Sequence, residues 1–176
     1  NEAVTLSDTT IAVSSLNTID AHTTGVVNAA TVTTITGTAA DINTVYTAGN
    51  ISGLGNEAVT LSDTTIAVSS LNTLDAYTTG LVNAATVTTI TGTAAEIIHL
   101  FIGPGLVGTI DLDLGNVAIT VTGRFTVAQF NTIAASTTTG VITATVAEGD
   151  MATLAGISES GNALTLTVTD SSVDAA

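Results

Sequence analysis

Apolar residues along the chain follow two rhythms in alternation. One is a stripe at i, i+3, i+6, which recurs as Val13/Leu16/Ile19, Ala39/Ile42/Val45, Val68/Leu71/Leu74 and Ala94/Ile97/Leu100, then as Val127/Phe130/Ile133 and Met151/Leu154. That spacing places the residues on one face of a helix, so six short helices are predicted. The other is β-branched alternation, in 4–6, 32–35, 59–61, 87–90, 117–121, 141–146 and 164–168. A period of two marks strands. Turn residues follow most of these strands, as in Ser7-Asp8-Thr9 and Thr36-Gly37-Thr38, and suit a tight turn leading to a helix N-cap. Gly25, Gly49, Gly80, Gly103, Gly140 and Gly156 follow the stripes and are read as C-terminal stops.

Each unit thus reads strand, turn, short helix, Gly and return loop. The units are organised by a repeat. Residues 1–42 and 56–97 are offset by 55 positions and differ only at Ile19/Leu74, His22/Tyr77, Val26/Leu81 and Asp41/Glu96. One unit cannot bury its own stripe, whereas stacked neighbours bury a continuous one. The expected fold is therefore an α/β solenoid with one parallel sheet and helices opposite. The alternative is an all-β solenoid in which the Asn-Thr segments are turns. The pattern divides the chain into near-identical double repeats (1–97), an irregular junction (98–116) and divergent repeats of the same kind (117–176). Because the first copy starts in mid-period, the chain reads as cut from a longer array.

Composition narrows the partners. One Arg, no Lys and fifteen acidic residues give a net charge of −14. Phosphate backbones and anionic membranes both recruit cations, so neither nucleic acid nor a membrane surface is an expected partner. Mean hydropathy is +0.58, but Thr interrupts every apolar stretch and no run reaches the length of about 18 needed to span a bilayer. There is no Cys, which removes disulfides, thiolate metal sites and Cys nucleophiles together.

The blocks GLGNEAVTLSDTT, SLNTIDAHTTG and NAATVTTITGTAADINTVYTAGN, with their second copies, resemble the tandem repeats of giant bacterial cell-surface proteins, of the swimming-motility and surface-layer type found in marine cyanobacteria. The resemblance covers residues 1–97 strongly and the remainder in pattern. It implies a secreted, surface-attached, often calcium-associated structural protein without catalytic residues. The glycine-and-aspartate nonapeptides of toxin-type calcium solenoids are absent from this chain.

Candidate chemistry is sparse. Asp111-x-Asp113-x-Gly115-Asn116 resembles the start of an oxygen-ligand calcium loop but lacks the distal Glu; Asp111 and Asp113 are the candidate metal ligands, with a solvated turn as the alternative. Asp8 and Asp63, at equivalent strand–helix turns, read as N-caps with metal binding as the alternative. His22 is replaced by Tyr77 in the second copy, and His99 lies in an apolar stretch, so both read as structural. The acids form no local constellation, and an enzyme is not expected. The function expected is an extracellular structural spacer at the cell surface. An adhesive or self-assembling filament subunit, associating through its ends or neighbouring repeats, is the alternative. Ice or glycan binding through a Thr-rich face, for which the Thr-x-Thr segments 120–122, 143–145 and 165–167 are the candidates, ranks below both.

Overall fold

The computed structural model describes residues 2–102, 110–111, 117–136 and 140–170. Its elements in chain order begin with strands Val4–Thr5 (β1) and Thr10–Ala12 (β2), helix Val13–His22 (α1), strands Val27–Asn28 (β3) and Thr34–Gly37 (β4), and helix Ala39–Thr47 (α2). Then come Ile51–Ser52 (β5), Ala58–Leu61 (β6), Thr65–Ala67 (β7), helix Val68–Tyr77 (α3), Val82–Asn83 (β8), Thr89–Thr93 (β9) and helix Ala94–Ile102 (α4). The last are Ile110–Asp111 (β10), Ala118–Phe125 (β11), helix Val127–Ala134 (α5), Ile142–Val146 (β12), helix Met151–Leu154 (α6) and Ala163–Thr165 (β13). The protein is mixed α/β, with six helices and three parallel sheets among the described residues.

The six stripes become the six helices, which removes the all-β alternative. In three of them the whole stripe is buried: Ala39, Ile42 and Val45 in α2, Val68, Leu71 and Leu74 in α3, Ala94, Ile97 and Leu100 in α4; in α1 Ile19 is part-exposed and in α6 Met151 is exposed. Helices of eight to ten residues built on Thr and Asn are marginal in isolation, so burial of this face is what holds them.

The expectation of one parallel sheet is corrected: there are three. One reason is that the turns at Ser7-Asp8-Thr9 and Ser62-Asp63-Thr64 do not lead directly into a helix: a second short strand forms first, Thr10–Ala12 or Thr65–Ala67. β1 and β6 precede the turn, β2 and β7 follow it, and the separated halves enter different ladders. The chain divides into two compact units, Asn1–Val87 with Leu106–Asp113, and Thr88–Gly105 with Leu114–Ala176.

In the first unit one sheet runs β1-β3-β5 and another β10-β8-β6-β4-β2. The second ladder aligns Ile11 with Ile35, Ile35 with Val59, Val59 with Val82 and Val82 with Ile110. Of these, Ile11, Ile35, Val59 and Val82 are buried, forming an apolar row; α1 packs on β2 and β4, and α2 on β4. Identical sequence is used differently by position. β1 pairs with β3 alone, whereas its copy β6 pairs with both β4 and β8.

In the second unit the strands follow the order β13-β12-β11-β9. Ile90, Ile119 and Ile142 align and are buried. Phe125 meets Phe130 of α5 edge-on at 6.0 Å, the preferred geometry for two quadrupolar rings. Between Thr120 and Arg124 the pairing of β11 with β12 shifts register, at Gly123 with φ +79°.

The described glycines after the helices are not left-handed stops; Gly103 lies outside the described residues. None of Gly25, Gly49, Gly80, Gly140 and Gly156 has a positive φ. At Gly25, Gly80 and Gly140 the requirement is proximity. A Cβ there would overlap the carbonyl oxygen of Glu2, Glu57 or Val117 in the parallel neighbour.

Candidate functional site: carboxylates that join successive segments

The acidic residues that the structure places in defined contacts serve helix starts and one buried cluster. Three of them reach out of their own segment. Asp63 Oδ2 accepts from the Ala39 amide at 2.8 Å, Glu148 Oε2 from the Val127 amide at 3.1 Å, and Asp170 Oδ2 from the Met151 amide at 2.7 Å. Ala39, Val127 and Met151 are the first residues of α2, α5 and α6. Their amides belong to the orphan donors of a helix N-terminus, where negative charge is also favoured. In each case the carboxylate comes from the segment that follows in sequence.

Local caps complete these termini. Thr38 accepts from the Asp41 amide, Thr126 and Gln129 form a reciprocal capping box, and Asp150 accepts from the Thr153 amide. The Asp41/Glu96 difference between the copies is conservative here. Asp41 receives a bond from the Thr38 hydroxyl, while the longer Glu96 reaches both the hydroxyl and the amide of Thr93. Hydrogen bonds from Thr93 hold Glu96 below the usual carboxylate range, and those from Thr153 do the same for Asp150. Their folded values are depressed, so what they contribute is present above the unfolded pKa near 4 and fades as pH falls through the folded one.

Asp63 therefore caps a helix, but not the expected one. The helix after it, α3, begins behind Ala67 without a side-chain cap, because β7 intervenes between the turn and the helix. The same correction applies to Asp8 and α1, whose N-cap is Ala12. Asp63→Ala is expected to cost about 1 kcal/mol, the usual loss for a removed cap, read from the urea unfolding midpoint at unchanged slope.

The buried cluster centres on Glu57. It is 1% exposed and, with Thr78, is one of two buried polar residues among those described. Its carboxylate is balanced by donors rather than a cation. The Tyr46 hydroxyl donates to Oε1, the Gly55 amide to Oε2 at 2.8 Å, and the Asn56 amide to Oε2 at 3.1 Å. Thr78 donates to the Glu57 carbonyl at 2.7 Å. The Tyr77 ring stacks on Tyr46 with centroids 5.2 Å apart, which accounts for the His22/Tyr77 difference at a position where only the second copy has Tyr46 beside it. Burial first, then the hydrogen bond and charge of Glu57, push the Tyr46 phenol well above its ordinary range. Tyr46 stays a neutral donor to a buried acceptor.

Sequence reasoning missed this cluster, although the repeat holds a signal for it. Phe101 in α4 occupies the place of Tyr46 in α2. Ala118 pairs with Thr89 as Ala58 pairs with Thr34, so Val117 is the counterpart of Glu57. The Tyr–Glu pair is thus replaced by Phe and Val together. The extra residues between 102 and 117 hide this from a simple offset of 55.

The sequence-predicted metal ligands are not assembled into a site by anything described. Asp111 is exposed in β10, where its carbonyl accepts from the Ala84 amide at 2.9 Å; Asp113 lies outside the described residues. Among the described residues no group of three or more His, Asp or Glu could hold a metal ion. His22 and His99 are both exposed on helices, with His22 Nδ1 2.7 Å from the Thr18 carbonyl. No described helix is long and apolar enough to cross a membrane. In comparisons with known proteins, no family model, no curated protein and no solved structure matches this chain.

Proposed function

We propose that this chain is an extracellular structural spacer, a solenoid of stacked repeat coils that works through length and stiffness rather than chemistry. One observation carries the reading: the parallel register in which corresponding residues of successive segments fall side by side, Thr10 by Thr34, Ile11 by Ile35 and Ile35 by Val59. In such a ladder each coil rests on its neighbours, and added repeats extend the stack without altering its chemistry. The carboxylate caps support the same reading, since each ties one segment to the helix of the segment before it. The reading invokes no bound calcium. The strongly acidic composition and the resemblance of residues 1–97 to bacterial surface repeats support a place at the cell surface.

A self-assembling or adhesive role is the second reading, supported by the one-sided pairing of β1 and the edge position of β2. A Thr face has weaker support. Thr91, Thr120 and Thr143 align in one row, but the second row is broken at Gly123, where Arg124 rather than Thr122 pairs with Thr145.

Small-angle scattering tests the spacer. One and then two extra copies of the 55-residue period are inserted between Gly55 and Asn56. The longest dimension is expected to grow in equal steps of about 10 Å, two coils at the inter-strand spacing. Compact growth in all directions would overturn the reading.

A further inference from the structure

The chain has two tyrosines, no Cys and no Trp, and the fold brings the two tyrosines together. Tyr46 lies near the end of α2 and Tyr77 closes α3. Their rings stack with centroids 5.2 Å apart and planes inclined by 14°. Nearly parallel rings whose carbons touch at about 3.5–4.0 Å must be offset to reach that centroid distance, which lays the edge of one ring over the other. The two rings are not equivalent. Tyr77 is 37% exposed, while Tyr46 is half-buried with its hydroxyl donating to Oε1 of the buried Glu57. One ring is thus open to solvent and the other has a buried proton acceptor. Packing alone asks for neither feature. The counterparts of Tyr46 and Glu57 are Phe101 and Val117, and that of Tyr77 is His22; stacking needs rings, not hydroxyls.

We infer that Tyr46 and Tyr77 form a site of oxidative cross-linking, at which a one-electron oxidant joins the two rings as dityrosine and ties α2 covalently to α3. The oxidant, a peroxide-driven species or a photogenerated metal complex, acts twice. It takes one electron from each phenol. The Tyr46 proton passes to the Glu57 carboxylate and the Tyr77 proton to solvent, which leaves two phenoxyl radicals. These couple through a carbon–carbon bond between ring positions ortho to the hydroxyls. Each coupled ring then moves its ortho hydrogen to its own oxygen as a proton and regains aromaticity. Two electrons reach the oxidant, two protons leave the phenols, and one bond forms. With Cys and Trp absent, tyrosine is the side chain of this protein that gives up a single electron most readily. The exposed Tyr77 ring admits a bulky oxidant, and Glu57 takes the proton that a phenol must shed as it loses its electron. Held face to face, the radicals couple within the chain before they meet a second one. The pairing needs only the contact of α2 with α3, so it stands whether or not the coils form a spacer.

The test irradiates the whole chain, at low micromolar concentration, with tris(bipyridine)ruthenium(II) and persulfate, and reads dityrosine from its fluorescence. A protease that cuts after acidic residues separates the tyrosines at Glu57, Asp63 and Asp75. A Tyr46–Tyr77 link therefore appears as two peptides joined at a mass two hydrogens below their sum. The expected product is monomeric and at least about tenfold more abundant than in Tyr77→His or Tyr46→Phe, where coupling needs a second chain. Glu57→Gln keeps an acceptor oxygen for the Gly55 and Asn56 amides and is expected to slow the linkage at least about tenfold, as loss of a positioned base does. The linked chain is expected to melt at least about 5 °C higher, as when a disulfide closes a loop. Dityrosine formed only between chains, or oxidation confined to a Met151 sulfoxide, overturns the site. An unchanged rate in Glu57→Gln overturns the proton path through Glu57.

Discussion

Glu57→Val is expected to destabilise the first unit by about 3 kcal/mol and Tyr46→Phe by about 1.5 kcal/mol, whereas the double variant costs less than their sum, since the Gly55 and Asn56 amides stay without their acceptor but the Tyr46 hydroxyl no longer does. Removing the carboxylate leaves the Tyr46 hydroxyl and the Gly55 and Asn56 amides without their acceptor in a buried place, at about 1–3 kcal/mol for each unsatisfied group. Removing the hydroxyl alone takes one donor from a buried carboxylate. Removing both leaves two apolar side chains of suitable shape, the combination that the repeat itself uses at Phe101 and Val117. Replacing a buried polar pair by apolar residues is often close to neutral. A double-mutant cycle in urea, followed by far-ultraviolet circular dichroism, is expected to give a coupling above about 1 kcal/mol; simple additivity would mean that the pair does not act as a unit. The cluster also sets an alkaline limit. The folded pKa of Tyr46 is raised, so its contribution is fully present below the unfolded value of about 10 and is lost as pH rises through the folded one. Tyr46→Phe is expected to flatten that part of the stability profile.

Gly80→Ala is expected to cost about 3 kcal/mol, the upper end of the usual penalty for overpacking. The added methyl would overlap the Glu57 carbonyl and crowd the Ala58 amide. Both are backbone atoms in a strand held on two sides, by β4 and β8, so neither has a direction in which to yield. Gly25 presents the same local geometry against Glu2 and Ala3. There, β1 is held on one side only, and an edge strand opens at little cost. Gly25→Ala is therefore expected to cost about 1 kcal/mol. Urea midpoints for the two variants decide the matter, and equal losses would show that β1 is held as firmly as β6.

The helices were legible because their signal is local. Val68, Leu71 and Leu74 announce a buried face whatever lies beyond it, and all six stripes were realised. Thr38 was legible as an N-cap for the same reason. The shortest strands were not legible. Val27–Asn28 and Ile51–Ser52 are strands only because Val4 lies beside Val27 and Val27 beside Ile51. Two residues carry no period of their own. Asp63 was legible as a capping residue, but its helix was not, since Ala39 is 24 residues away in sequence.

The sequence by itself therefore determined the α/β class, the buried face of each helix, the double repeat and the scarcity of cationic partners. All of these follow from residue type and short-range spacing. Only the tertiary structure decided how many sheets form, which glycines are needed for close approach, which carboxylate serves which helix, and that Glu57 is buried while the identical Glu2 is exposed. The physical reason is that a side chain's environment in a parallel ladder comes from the neighbouring segment. Two copies of one sequence acquire different burial and different partners when the segments paired with them differ, as β1 with β3 alone and β6 with both β4 and β8.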